Sequence, residues 1–165
     1  MTTLQTQRRT HRASRRGVLR GAGALAIGAT LGGVRPAAAA YEDDGDPGTA
    51  IKHIAQGRTI KPGRVMLTLP ELAENGNVVS LTVEVTSAMT EADHVKMIHI
   101  VAEKNPLATI ARFHLGPRAG RAKIQSNIRL ATTQTVNALA EMSDGSVWSG
   151  SATVLVTLSA CLDGG

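Results

Sequence analysis

From Val79 to Thr86 the chain alternates without a break: Val79, Leu81, Val83 and Val85 fall on one side, Ser80, Thr82, Glu84 and Thr86 on the other. A period of two with β-branched residues at apolar positions suits a strand with one face in a core and one in water; a helix would scatter the same set around its axis. Ala152-Thr153-Val154-Leu155-Val156-Thr157-Leu158 shows the same alternation near the end. Apolar runs of strand length predict further strands near 65–69, 95–102, 109–115, 124–130 and 134–142. Between the strands, Glu74-Asn75-Gly76-Asn77, Asn105-Pro106, Gly116-Pro117 and Ser143-Asp144-Gly145-Ser146 supply turn chemistry. Seven short strands without crossover helices predict an all-β fold, an immunoglobulin-like antiparallel β-sandwich. An open antiparallel sheet or a small barrel satisfies the same pattern.

One run is unusual. Val95-Lys96-Met97-Ile98-His99-Ile100-Val101-Ala102 becomes apolar on both faces in its second half, so it is either buried on both sides or turned toward a partner. Ahead of the strands, Asp46-Pro47 reads as an N-cap with proline in the first helical position. Ile51, Ile54 and Ala55 share a face and Gly57 is a natural stop, which predicts one short helix.

The first forty residues have a different character. They hold seven arginines and no acid, then an apolar stretch from Gly21 to Gly33 that is shorter than the roughly 20 residues a bilayer span needs. Ser14-Arg15-Arg16-Gly17-Val18-Leu19-Arg20 resembles a twin-arginine export signal, and Ala38-Ala39-Ala40 supplies the small residues a signal peptidase accepts. Cleavage is expected after Ala40, leaving no membrane span. The expected organisation is a signal peptide over 1–40, an acidic segment and helix over 41–63, a sandwich over 64–158 and a flexible tail over 159–165.

The leader also accounts for the basic charge. The chain carries +5, but losing those seven arginines leaves eleven Lys and Arg against all thirteen Asp and Glu, a net of −2. With only Tyr41, Phe113 and Trp148 as aromatics, neither a basic surface nor a stacking platform for nucleic acid remains. Cys161 is the only cysteine. In an oxidising compartment an unpaired thiol means intermolecular pairing or reactivity. It sits in Ser159-Ala160-Cys161-Leu162-Asp163-Gly164-Gly165, directly after the last predicted strand, where it can stand on the order of 10 Å beyond the strand end.

No enzyme centre is legible. His53, His94, His99 and His114 lack zinc-ligand spacing and read as strand-surface or satisfied core histidines, and the carboxylates are scattered among turns and solvent-facing positions. Arg118 and Arg121 read as a basic turn able to attract an anion or acidic partner.

Five collinear blocks add a family resemblance. Leu69-Pro70-Glu71-Leu72-Ala73-Glu74-Asn75-Gly76-Asn77, Ser87-Ala88-Met89-Thr90-Glu91-Ala92-Asp93-His94-Val95, Ala102-Glu103-Lys104-Asn105-Pro106, Phe113-His114-Leu115-Gly116-Pro117 and Ala140-Glu141-Met142-Ser143-Asp144-Gly145 together resemble SoxY, the sulfur-carrier subunit of bacterial thiosulfate oxidation. The resemblance implies a periplasmic immunoglobulin-like protein paired with SoxZ, a second small β-protein, as a heterodimer. It implies a carrier without catalytic residues, metal or cofactor, whose C-terminal cysteine holds sulfur covalently. A thiosulfate-loading haem protein, a sulfate-releasing hydrolase and a sulfane dehydrogenase then act on the cargo. Carried onto this chain, Cys161 takes the covalent role, and Gly164 and Gly165 form the flexible end. The family's tail is usually Gly-Gly-Cys-Gly-Gly, whereas here Ser159 and Ala160 precede the cysteine and Leu162-Asp163 stand before the final glycines. A non-carrying periplasmic binding or scaffold module is the alternative reading.

Overall fold

The structure, a computed structural model, describes residues 45–159. The helix forms where expected, as α1 (Pro47–Ala55). Asp46 caps it from an extended backbone, its carboxylate accepting from the Thr49 amide at 2.7 Å and the Thr49 hydroxyl at 2.8 Å. Those two hydrogen bonds hold the Asp46 carboxyl below its ordinary pKa. Gln56 (φ 49°) and Gly57 (φ 77°) turn left-handed and end the helix.

Nine strands follow: β1 (Ile60–Pro62), β2 (Val65–Thr68), β3 (Leu72–Asn75), β4 (Val79–Val85), β5 (Val95–Ala102), β6 (Thr109–His114), β7 (Lys123–Ile128), β8 (Gln134–Met142) and β9 (Val147–Leu158). They make two sheets. One runs β1-β9-β8-β5-β6, with β3 also on β9; the other runs β2-β4-β7. The antiparallel β9-β8-β5-β6 order facing β2-β4-β7 is the immunoglobulin arrangement anticipated from the alternation. The alternating faces meet as designed, Leu81 and Val83 of β4 packing in one core with Ile98 and Ile100 of β5 and Val136 and Ala138 of β8.

The structure corrects the expected strand count and pairing. Seven strands become nine because β1 and β3, of three and four residues, are too short to display a period. Both pair parallel to β9, so the sandwich is not purely antiparallel. β9 starts at Val147, well ahead of 152, since Trp148-Ser149-Gly150-Ser151 belongs to the strand without alternating in hydrophobicity. The 117–119 turn closes into a short 3-10 helix. Of the two readings of β5, burial on both sides holds: Ile98 and Ile100 face the inter-sheet core, while Val101, with Leu139 and Val147, lies under Ala50 and Ile54 of α1.

Gly150 explains why β9 breaks pattern. After β1 the chain leaves the larger sheet through Gly63 (φ 97°) and Arg64 (φ 50°) and enters β2 of the smaller one. At that crossing the Val65 backbone passes so close that a Cβ on Gly150 would overlap the Val65 carbonyl oxygen. Gly150→Ala is expected to cost about 2–3 kcal/mol of stability by overpacking, while neighbouring, exposed Ser151→Ala should stay within about 0.5 kcal/mol. Urea unfolding of the two variants checks both numbers.

Candidate functional site

The last strand delivers the tail, and its end is held from three directions. β3 runs beside it in parallel register, Leu72 with Leu155, Ala73 with Val156 and Asn75 with Leu158. The buried Gly76 amide donates to the Leu158 carbonyl at 2.8 Å, and the Gly76 carbonyl accepts from the Leu130 amide at 2.8 Å. An Asx turn makes this geometry, the Asn75 side chain accepting from the Asn77 amide at 2.8 Å. Thr157 donates its hydroxyl to the Glu74 carbonyl at 2.8 Å, and the Thr133 hydroxyl accepts from the Val156 amide at 2.9 Å.

Cys161, Gly164 and Gly165 lie outside the described residues; Ser159 is the last described position. Cys161 is two residues beyond it, about 7 Å of extended chain. The tail thus starts from a fixed point. Leu72 and Leu155, opposite each other in register, are 53% and 56% exposed on one face of the β3–β9 pair, and Leu158, 65% exposed, falls on the other face. Val78, just past the Asx turn, is exposed as well.

A second cluster was not legible in the sequence. His99 of β5, Glu141 of β8 and Arg58 after α1 form a chain of contacts, with His99 Nε2 2.8 Å from Glu141 Oε1 and Arg58 Nη2 2.7 Å from Glu141 Oε2. Arg58 also donates to the carbonyls of Ile54, Ala55 and Gly145, so it fastens the helix C-terminus to the sheet. Burial pushes the His99 pKa down, and the Glu141 partner only partly restores it. Burial alone would raise the Glu141 pKa, but the hydrogen bonds from Arg58 and His99 together bring it below its ordinary value. Among the described residues His99 Nδ1 has no hydrogen-bond partner. No local motif could reveal this cluster, because Arg58 and Glu141 lie 83 positions apart and only the sheet order joins them.

Of the other histidines, His53 lines a pocket together with His99, Arg112 and Glu141, and His114 is near enough to act on His99 electrostatically. His94 precedes β5 with Nδ1 3.0 Å from the Thr90 carbonyl, and His53 and His114 are exposed. Among the described residues no three His, Cys, Asp or Glu side chains gather to hold a metal ion. Arg118 and Arg121 are exposed around the short helix after β6. No helix among the described residues is long and apolar enough to cross a membrane.

Comparison with known proteins narrows the class. Residues 51–161 match the family described as sulfur oxidation protein SoxY. In fold the chain is similar to the sulfur carrier protein SoxY from Chlorobium limicola f thiosulfatophilum, at 23% identity and TM-score 0.56 over 67% of this chain and 96% of that one. It is also similar to superoxide reductase (neelaredoxin) from Ignicoccus hospitalis, at 14% identity and TM-score 0.50 over 57% of this chain and 80% of that one. At such identities the likeness is one of fold. No curated protein matches the chain. Family and architecture define a β-sandwich protein of sulfur oxidation. The chain belongs to the SoxY family.

The buried cluster has a measurable signature. Because the folded His99 pKa lies below 6.5, the unfolded chain takes the proton first as pH falls past 6.5, and stability drops until the folded value is crossed. Glu141 acts lower: its contribution is present above 4.5 and is lost as pH falls through its depressed folded value. His99→Gln is therefore expected to flatten the stability profile just below pH 6.5. Glu141→Gln should cost about 1–2 kcal/mol at neutral pH, by weakening charge-assisted hydrogen bonds. Urea unfolding across pH 4 to pH 8 reads both.

Proposed function

We propose that the leaderless protein is a periplasmic sulfur carrier that holds thiosulfate-derived sulfur on Cys161 and presents it to separate enzymes. The observation that carries this reading is the extent of the family match, which runs to residue 161, the chain's only cysteine. The chemistry suits a carrier. Joining the Cys161 thiol to the sulfane sulfur of thiosulfate forms an S–S bond with loss of one proton and two electrons, so an external haem protein must take the electrons. Hydrolysis of the resulting cysteine S-thiosulfonate by water releases sulfate and two protons and leaves a persulfide on the cysteine. The thiolate is the reactive form, and the tail brings no Lys, Arg or His to favour it; Asp163 disfavours it. Activation therefore comes from the enzymes that receive the tail, and the chain itself is not the catalyst.

The fixed root at Leu158 supports this reading, because a short arm on a rigid base confines Cys161 to a small volume. The exposed pair of Leu72 and Leu155 beside the tail root gives receiving enzymes an apolar surface to grip, and a SoxZ-like β-protein is the expected heterodimer partner. Export by the twin-arginine route, with Tyr41 as the mature first residue, places the carrier in the periplasm.

The second reading, a binding or scaffold module that carries no sulfur, rests on the tail sequence, where Leu162 and Asp163 must follow Cys161 into any channel shaped for glycine. Intact-mass measurement separates the two. The leaderless protein with its SoxZ-like partner, the loading haem protein and thiosulfate should gain one thiosulfate-derived group, absent in Cys161→Ser. An unmodified protein, or an adduct that persists in Cys161→Ser, would leave the scaffold reading standing and overturn the carrier.

A further inference from the structure

Charge is divided unevenly over this molecule. Residues 104–140 carry six cations, Lys104, Arg112, Arg118, Arg121, Lys123 and Arg129, and no acid, whereas the other described residues hold five cations and nine acids. All six are exposed. They lie in or beside β6, the short 3-10 helix and β7, the flank where each sheet ends in a strand paired on one side only. A cleft of about 490 Å³ opens between those two strands, with Leu107, Ile110 and Ile128 as its apolar lining.

The two strands at the cleft are not equally protected. β6 is bulged against β5, its register shifting between Ile100 and Val101, and a bulge discourages further pairing. β7 keeps an unbroken register with β4 from Lys123 to Ile128 and contains no proline. The Val85 amide donates to the Ala122 carbonyl at 2.9 Å, which makes those two a hydrogen-bonded pair. The alternation along an antiparallel ladder then turns the amides of Lys123, Gln125 and Asn127 away from β4, toward the open side. That edge ends at Arg129, whose carbonyl accepts from the Asn105 side chain at 2.9 Å. Side chains alternate as well: Ile124 and Ile128 pack on the inter-sheet core, while Lys123, Gln125 and Asn127 are exposed on the outer face.

We propose that β7 is a docking edge for an extended segment of another protein, one that alternates apolar and acidic residues and joins the β2-β4-β7 sheet as a further strand. Each part of that chemistry answers a feature of the flank. Backbone pairing satisfies the outward amides of β7. Apolar side chains of the incoming strand fall on the cleft side, over Ile110 and Ile128. Its acids fall on the outer face, with Arg121 at one end of β7 and Arg129 at the other. Among the described residues the outer faces of β2, β4 and β7 hold one acid, Glu84, and Lys123 already meets it at 3.2 Å. A second copy of this chain is a poor occupant, because it would set its own six cations against these six. Docking here is independent of what Cys161 carries, since the β3–β9 pair that roots the tail belongs to the other flank.

The probe is a fluorescein-labelled peptide of about ten residues that alternates valine and glutamate, long enough to span the six-residue strand, with a valine–lysine peptide as control. The leaderless protein should bind the glutamate peptide roughly tenfold more tightly than the lysine one, and the double variant Arg121→Glu, Arg129→Glu should bind it about tenfold more weakly. Cys161→Ser should bind as the parent does, so that failure of docking and failure of sulfur loading are read separately. Amide hydrogen exchange followed by NMR tells edge pairing from charge attraction. At saturating peptide the Gln125 and Asn127 amides should slow by roughly tenfold, while those of Ile124 and Ser126, already paired to β4, stay unchanged. No binding at about 1 mM peptide, or binding that leaves Gln125 and Asn127 exchange unaltered, would overturn the proposal. Protection of the same amides that grows with protein concentration and needs no peptide would also overturn it, by assigning the edge to a second copy of the chain.

Discussion

β9 is the member on which the remaining structure leans, and the constraint is the pairing of its backbone along both flanks. β8 occupies one side from Val147 to Val154; the other is shared by β1 at the start and β3 at the end. Between those short strands lies the stretch where β2 crosses, which is why the strand needs a residue without a side chain at Gly150. One twelve-residue strand thereby ties the N-terminal crossover, the sheet centre and the tail root into a single piece. An immunoglobulin-type sandwich normally exposes its edges; here one edge is spent on holding the chain's end in place.

α1 depends on a different force. Its apolar face, Ala50 and Ile54 on Val101, Leu139 and Val147, covers the outer side of the larger sheet, and that burial is what makes β5 apolar on both faces. The Arg58–Glu141–His99 chain seals the end of the same contact. A half-buried ion pair such as Arg58–Glu141 adds little where hydrophobic packing alone would serve. What it adds is position: Arg58 reaches Ile54, Ala55, Gly145 and Glu141 at once, so the helix has one register on the sheet.

Much of this was readable in advance, and the reasons it was are physical. Val79–Val85 and Val95–Ala102 are long enough to show their period, and Asp46-Pro47 is an unambiguous helix start, so these elements were placed within a residue or two. β1 and β3 were invisible because three or four residues on a sheet edge need no apolar pattern, only a partner. The same holds for Gly150, whose requirement comes from Val65, far away in sequence. Cys161 could be singled out as a lone thiol beyond the last strand, yet how that strand end is rooted depends on Gly76 and Leu130, which carry no chemical signal of their own.

The parallel β3–β9 pairing has a mechanical consequence. A pull on the tail acts along the axis of β9, so the hydrogen bonds to β3 and β8 are loaded side by side in shear and must fail together rather than peel one at a time. The Gly76 to Leu158 bond stands at the first point of load. A force applied to the chain beyond Leu158 therefore meets an anchored sandwich instead of one that unravels from its end.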